Sequence, residues 1–124
     1  WIIGSHKDEA MGAAIHDQSG GAAINLCGRT QLADAIDLLS GADVVVTNDS
    51  GLMHVAAALD RPLVALYGSS SPEFTPPLAR HVAILQHPVP CSPCFARTCR
   101  FGHLDCLTHL EPSQVLEAIR SFDL

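Results

Sequence analysis

Apolar and polar positions alternate in blocks along this chain. Val44-Val45-Val46 and Leu63-Val64-Ala65-Leu66-Tyr67 are continuous apolar runs, the pattern of strands covered on both faces in a parallel sheet. They predict strands over residues 43–47 and 62–67, the first of them fully buried. Between the two, residues 52–59 predict a short helix, entered through the polar turn Asn48-Asp49-Ser50-Gly51. Upstream, short apolar stretches predict strands over residues 1–3 and 22–26. Ala10, Met11, Ala14 and Ile15 recur at helical spacing and predict a helix over residues 8–18, stopped by Ser19-Gly20-Gly21. Leu32, Ala35, Ile36 and Leu39 form the apolar stripe of another helix, with Thr30 as its expected N-cap. Downstream come a polar loop over 68–77, a strand over 82–85 and a cysteine-rich loop over 87–110. Pro112 suits the first turn of a last helix carrying Val115, Leu116, Ile119 and Phe122. Strands that alternate with helices imply an α/β fold with parallel strands and right-handed crossovers. No internal repeat or domain boundary is visible, so residues 1–124 are expected to form one domain.

Composition narrows the functional classes. Hydrophobic residues make up 48% and charged residues 16% of the 124 positions, which is globular rather than disordered. The formal net charge is −6 and Lys7 is the single lysine. Nucleic-acid binders draw affinity from many Lys and Arg contacts to phosphate, so no nucleic-acid partner is expected. A phosphate ligand would have to be held by backbone amides, Arg, His and hydroxyls. No apolar run approaches the roughly 18–20 residues that span a bilayer, so membrane association is at most peripheral. The chain opens at Trp1 inside a predicted strand and is expected to be a piece of a longer protein.

The turn at residues 48–51 carries the chemistry. It lies where a parallel strand ends and a helix begins, the place where open α/β sheets bind ligands. Free amides at the helix start, with the helix dipole behind them, suit a phosphate. Ser50 and Gly51 supply such amides, Gly51 permits close approach, and His54 follows on the first turn. Asp49 has the wrong sign for phosphate and is better suited to accept hydrogen bonds from sugar hydroxyls. Taken as residue types alone, Asp, Asn and Ser before a helix also serve as simple caps.

The run Thr47-Asn48-Asp49-Ser50-Gly51-Leu52-Met53-His54-Val55-Ala56-Ala57-Ala58-Leu59 resembles the donor-binding motif of bacterial lipopolysaccharide heptosyltransferases, in glycosyltransferase family 9. Arg61-Pro62-Leu63-Val64-Ala65-Leu66-Tyr67-Gly68 and Ser70-Ser71-Pro72-Glu73-Phe74-Thr75-Pro76-Pro77-Leu78 continue the likeness, which extends from Gly4 to the final helix. The resemblance implies a GT-B enzyme built of two Rossmann-like halves. This chain would be the C-terminal half, a parallel sheet with helices on both faces that binds ADP-heptose. It implies that Asp49 binds the donor sugar and that residues near Thr30 line the adenine pocket. The catalytic base and the site for the lipopolysaccharide core acceptor would lie in an N-terminal half outside the chain. The chain alone is thus expected to be inactive, transfer to proceed with inversion, and the enzyme to sit in the cytoplasm at the inner membrane. No cofactor is required for such chemistry. A nucleotide-sugar enzyme of another sugar specificity is the first alternative.

Two further features stay open. Asp8 follows the first predicted strand, where a carboxylate can bind ribose hydroxyls or simply begin a helix. Cys91, Cys94, Cys99 and Cys106 are spaced C-x2-C-x4-C-x6-C, with Cys27 apart. An odd total with one cluster argues against a secreted disulfide scaffold. The four clustered residues could be structural thiols or disulfides, ligands of a structural zinc, or an iron–sulfur site. A zinc-dependent interaction module built on this loop is the alternative of a different class. The loop's likeness to an RNA-binding zinc knuckle is opposed by the acidic domain around it.

Overall fold

The computed structural model describes residues 1–124. They fall into two compact units, Trp1–Leu38 and Leu39–Leu124.

In the first unit, a 3₁₀ turn, His6–Asp8, leads into α1, Glu9–Gln18. Ser5 caps this start: its hydroxyl accepts the Lys7 N–H, while the Asp8 carboxylate accepts the Ser5 N–H at 2.7 Å. Gly20 and Gly21, both at positive φ, then reverse the chain after the helix. The strands expected at residues 1–3 and 22–26 shrink to one parallel bridge, Ile2 with Asn25. Flanking it, the Ile2 N–H donates to the Ile24 carbonyl and the Leu26 N–H to the Ile2 carbonyl. The Gly28 N–H also donates to the Gly4 carbonyl, and the Asn25 side chain donates to the Glu9 carbonyl and accepts the Cys27 N–H. The helix α2, Leu32–Ser40, begins one residue later than expected. The Ala35 N–H bonds the Gln31 carbonyl, and Asp34 accepts the Gln31 N–H at 2.8 Å. Gln31 therefore holds the cap position, not Thr30, because Asp34 can reach back from the third helical residue.

The second unit holds a three-stranded parallel sheet in the order β1-β2-β3, formed by Val45–Asn48, Leu63–Tyr67 and Val82–Gln86. The register pairs Val45 with Leu63 and Leu63 with Val82. Helix α3, Gly51–Ala58, crosses from β1 to β2. Two further helices, α4 (Asp105–Thr108) and α5 (Pro112–Ser121), follow β3. The four-residue α4 inside the cysteine loop carries no periodic signal, being about one turn long.

Strand alternation divides the core. Leu63, Ala65 and Tyr67 of β2 pack with Met53 and Ala57 of α3. Leu66, of opposite parity, lines an apolar cavity with Leu110, Val115 and Leu116. Helices thus cover both faces of β2, and its continuous apolar run is buried as expected. Burying a side chain such as Met53 or Leu63 is worth about 1.5–3 kcal/mol. The equally apolar β1 differs. It alternates half-buried and exposed positions, and Val46 is 46% exposed. The expectation of a fully buried first strand fails because β1 lies at one end of the sheet, where a run of valines is not matched by cover on both faces. Arg61 closes α3 by donating from Nε to the Leu59 carbonyl.

Candidate functional site

The C-terminal ends of β1 and β2 bring the candidate donor residues together. β1 ends at Asn48, Asp49 and Ser50 follow, and α3 starts at Gly51. Asp49 is tied to the neighbouring strand by its N–H, which donates to the Leu66 carbonyl at 3.3 Å. Ser50 is extended, with φ −152° and ψ 169°, and its hydroxyl makes no capping bond. Its carbonyl accepts the Met53 N–H. The Gly51 and Leu52 amides therefore open the helix without a side chain over them. A backbone end of this kind attracts anions.

Gly51 is informative because the fold does not require it. Its φ is not in the left-handed region, and a Cβ built there meets nothing within 4 Å. Glycine lowers helix stability relative to alanine, so the open space in front of Gly51 is a feature that packing alone leaves unexplained. His54 is exposed one turn into the helix. Ser50, Gly51 and His54 thus share the same helix start, as the spacing suggested.

Asp49 is neither a helix cap nor alone. Its Oδ2 accepts the Thr75 hydroxyl at 3.1 Å. The Thr75 carbonyl in turn accepts the Tyr67 hydroxyl at 2.6 Å. Tyr67 is 1% exposed and stands at the end of β2, so the loop that follows β2 is pinned from inside. Burial raises the Tyr67 phenol above its ordinary pKa, and the negative charge of Asp49 adds to the shift. Sequence reasoning had no role for Thr75 or for the Tyr67 hydroxyl. The only available signal was a tyrosine ending an otherwise aliphatic strand, since a buried phenol needs a partner.

Ser70 and Ser71 belong to the same post-β2 loop. They line a cavity of about 250 Å³ with Glu73, Gln86 and His87 at the ends of β2 and β3. Asp8 and Thr30, the candidate nucleoside contacts, lie in the first unit. Asp8 spends Oδ2 on the Ser5 N–H and hydroxyl, and Thr30 is half-buried.

The strand end, the uncapped helix start and the carboxylate beside it all fall within the run Thr47 to Leu59. The profile of glycosyltransferase family 9 (heptosyltransferase) matches residues 1–105. The chain belongs to glycosyltransferase family 9. It is similar to lipopolysaccharide heptosyltransferase 2 of Salmonella typhimurium, 43% identical over 124 residues, covering 97% of this chain and 36% of that protein. The solved E. coli ADP-heptose LPS heptosyltransferase II superposes with a TM-score of 0.80 at 41% identity, covering 96% of this chain and 34% of that one. A family 9 glycosyltransferase from Veillonella parvula superposes with a TM-score of 0.81 at 28% identity, also covering 34% of that chain. The chain therefore spans about a third of the length of these relatives. Within family 9, the run from Thr47 to Leu78 points to heptosyltransferase II, the name that the Salmonella and E. coli relatives carry. The Rossmann-like α/β architecture expected of the chain agrees with the family's solved structures.

The cysteines divide as their spacing suggested. Cys27 is 3% exposed in the first unit, and burial raises its thiol pKa, with Asp8 adding. Cys91, Cys94, Cys99 and Cys106 are half-buried free thiols that line one cavity of about 110 Å³. Their sulfurs are not gathered at one point, and no three His, Cys, Asp or Glu groups stand close enough to hold a metal ion. Different backbone pieces explain this. Cys91 and Cys94 lie in irregular chain, Cys99 faces backbone amides, and Cys106 belongs to α4. Amide donors, led by Leu104, lower the Cys99 pKa. Burial, then the neighbouring cysteines, raises that of Cys106. No helix is long and apolar enough to cross a membrane.

Proposed function

We propose that this family 9 chain is the donor-binding part of a heptosyltransferase, holding ADP-heptose for transfer to the lipopolysaccharide inner core. The observation that carries the reading is the uncapped start of α3 with free space in front of Gly51 and Asp49 held beside it by Thr75. Similarity to proteins named heptosyltransferase 2 supplies the sugar and the acceptor class.

Displacement of the sugar leaves negative charge on the departing β-phosphate, and stabilisation must be aimed where that charge develops. The amides of Ser50 and Gly51 serve this end, and His54 donates a further hydrogen bond to the phosphates. Asp49, fixed on one oxygen by Thr75, keeps its remaining acceptor capacity for hydroxyls of the sugar. Asp8 and Thr30 are assigned to the nucleoside. None of these contacts calls for a cofactor. The base that deprotonates the acceptor hydroxyl is assigned to a part of the enzyme outside this chain, so the chain binds donor without turning it over. The assigned location is the cytoplasmic face of the inner membrane, with peripheral contact at most.

Calorimetric titration with ADP and ADP-heptose beside UDP- and GDP-sugars tests the proposal. Adenine-linked ligands should bind preferentially. Equal or better binding of a UDP- or GDP-sugar would overturn the ADP-heptose assignment, and turnover by the isolated chain would overturn the division of labour.

A further inference from the structure

The donor residues leave the polar cavity at the ends of β2 and β3 unused. Its volume is about 250 Å³, and Ser70, Glu73, Phe74, Gln86 and His87 stand in its wall. Sites for drug-sized ligands run to roughly 300–1,000 Å³, so this one fits a single compact unit rather than a whole nucleotide. Strand register fixes its place relative to the donor site. Asn48 pairs with Leu66 and Tyr67 with Gln86. Asp49, one residue on, stands level with Tyr67, and its N–H donates to the Leu66 carbonyl. Asp49, Tyr67 and Gln86 therefore form one row across the C-terminal edge of the sheet, the edge where open α/β folds bind ligands. Neighbouring strands lie about 4.7–4.9 Å apart, which sets Asp49 and Gln86 about 9–10 Å from each other.

The walls are held while their polar ends stay free. The turn from Ser71 to Thr75 closes on Ser71, whose hydroxyl accepts the Glu73 N–H at 3.2 Å and whose carbonyl accepts the Phe74 N–H at 3.1 Å. Thr75 then joins that turn to Asp49. Across the cavity, His87 and His109 share a hydrogen bond at 3.2 Å. The Ser70 hydroxyl, the Glu73 carboxylate and the Gln86 amide are not spent on other protein groups. No Lys or Arg lines the cavity, and the Glu73 charge opposes an anion, so a phosphate does not suit it. Hydroxyls do, since a carboxylate accepts from them and a primary amide both donates and accepts. Phe74 is 72% exposed and is held edge-on against Phe95 with ring centres 5.5 Å apart. An exposed ring beside hydroxyl-binding groups matches a sugar, which carries hydroxyls around its edge and C–H groups on its faces.

We propose that this cavity is a sugar subsite of the transfer reaction, in which Ser70, Glu73 and Gln86 bond ring hydroxyls and Phe74 covers a C–H face. The inference rests on the donor-site reading, which puts the donor sugar at Asp49 in the same row. Sugar hydroxyls reach the cavity from one of two sources, the acceptor saccharide beside the donor or the far end of the donor heptose. Either source makes Glu73 and Gln86 determinants of sugar recognition, and neither involves them with the nucleotide.

The test compares wild-type protein with Glu73→Gln and Gln86→Ala. Both side chains are exposed, so the variants should keep the wild-type Tm. One arm titrates ADP and ADP-heptose by calorimetry. The other follows a de-acylated inner-core oligosaccharide by saturation-transfer NMR, with ADP present. Each variant should weaken a sugar-bearing probe by about three- to tenfold, the net worth of one hydrogen bond, and leave ADP affinity unchanged. Loss confined to the oligosaccharide assigns the cavity to the acceptor. Loss of ADP-heptose affinity assigns it to the donor sugar. Phe74→Leu, which keeps apolar bulk but loses the ring face, should act on the same probe. Variants identical to wild type in both arms would overturn the subsite, as would an equal loss of ADP and ADP-heptose. The two readings fail differently: wild-type protein that binds no ADP overturns the donor site, whereas wild-type binding of ADP-heptose with unaffected variants overturns the cavity alone.

Discussion

Thr75 and Asp49 are 26 residues apart in sequence, and the Thr75 hydroxyl donates to Asp49 Oδ2 at 3.1 Å. The bond joins the loop after β2 to the turn after β1. It orients the carboxylate assigned to the donor sugar while the Tyr67 hydroxyl holds the Thr75 carbonyl. Thr75→Val removes the hydroxyl but keeps the shape and that carbonyl. Affinity for ADP-heptose should fall by about 0.5–1.5 kcal/mol, the net worth of one hydrogen bond, while ADP affinity stays the same. Calorimetry with the two ligands checks this, and equal weakening of both would contradict the orienting role.

Gly51→Val tests the phosphate site. A Cβ at this position meets no protein atom within 4 Å, so the variant should fold. Its branched side chain would occupy the approach to the helix amides. Loss of ADP affinity should reach about 1–3 kcal/mol, the scale of buried polar groups left unpaired. A folded Gly51→Val protein with unchanged ADP affinity would remove the site.

His54 and Asp49 should separate by ligand. Phosphate is common to ADP and ADP-heptose, whereas sugar hydroxyls belong only to the second. His54→Ala should weaken both. Asp49→Asn should weaken ADP-heptose and spare ADP, or tighten it slightly as a negative charge near phosphate is removed. If Asp49→Asn weakens the two ligands equally, Asp49 is structural.

Tyr67 links core to site. Tyr67→Phe loses a 2.6 Å hydrogen bond to the Thr75 carbonyl and should lower stability by about 1–2 kcal/mol, read as a reduced Tm. The folded phenol has a raised pKa. Its contribution is complete below the unfolded tyrosine value of about 10 and is lost as pH rises through the higher folded value. Wild-type stability should therefore fall at alkaline pH more steeply than that of Tyr67→Phe, which denaturation series across that range would show.

Asp60 and Arg80 set an opposite dependence. Asp60 sits at positive φ after α3 and pairs with the Arg80 guanidinium, while its carboxylate also accepts the Arg80 N–H at 3.1 Å. The side-chain hydrogen bond from Arg80, then the backbone one, lowers the Asp60 pKa. A depressed carboxylate stabilises above its unfolded value of about 3.9, and that support is lost as pH falls through the folded value. Asp60→Asn keeps a residue tolerant of this backbone conformation and should flatten the acid limb of the stability curve. An unchanged limb would assign acid sensitivity elsewhere.

Much of the fold was legible because it rests on local pattern. The apolar run at Leu63 to Tyr67 announced a strand covered on both faces. Pro112 and the stripe from Val115 announced α5, and the polar turn before Gly51 marked the junction of β1 and α3. The family motif lay in that same turn, so Asp49, Ser50, Gly51 and His54 could be named from sequence. Each of these signals is carried by residues close in the chain, where spacing alone decides which side chains share a face.

Tertiary structure decided what depends on position in the sheet and on distant partners. Val44-Val45-Val46 is as apolar as the β2 run, but its place at the end of the sheet leaves Val46 exposed. The strands predicted at residues 1–3 and 22–26 became a single bridge, Ile2 with Asn25. Asp34 moved the α2 cap from Thr30 to Gln31. Thr75 became a partner of Asp49 only because β1 and β2 run parallel and end side by side. A sequence states which groups can bond. Chain topology chooses which of them meet, because hydrogen bonds and burial are settled at distances of a few ångströms that spacing along the chain does not specify.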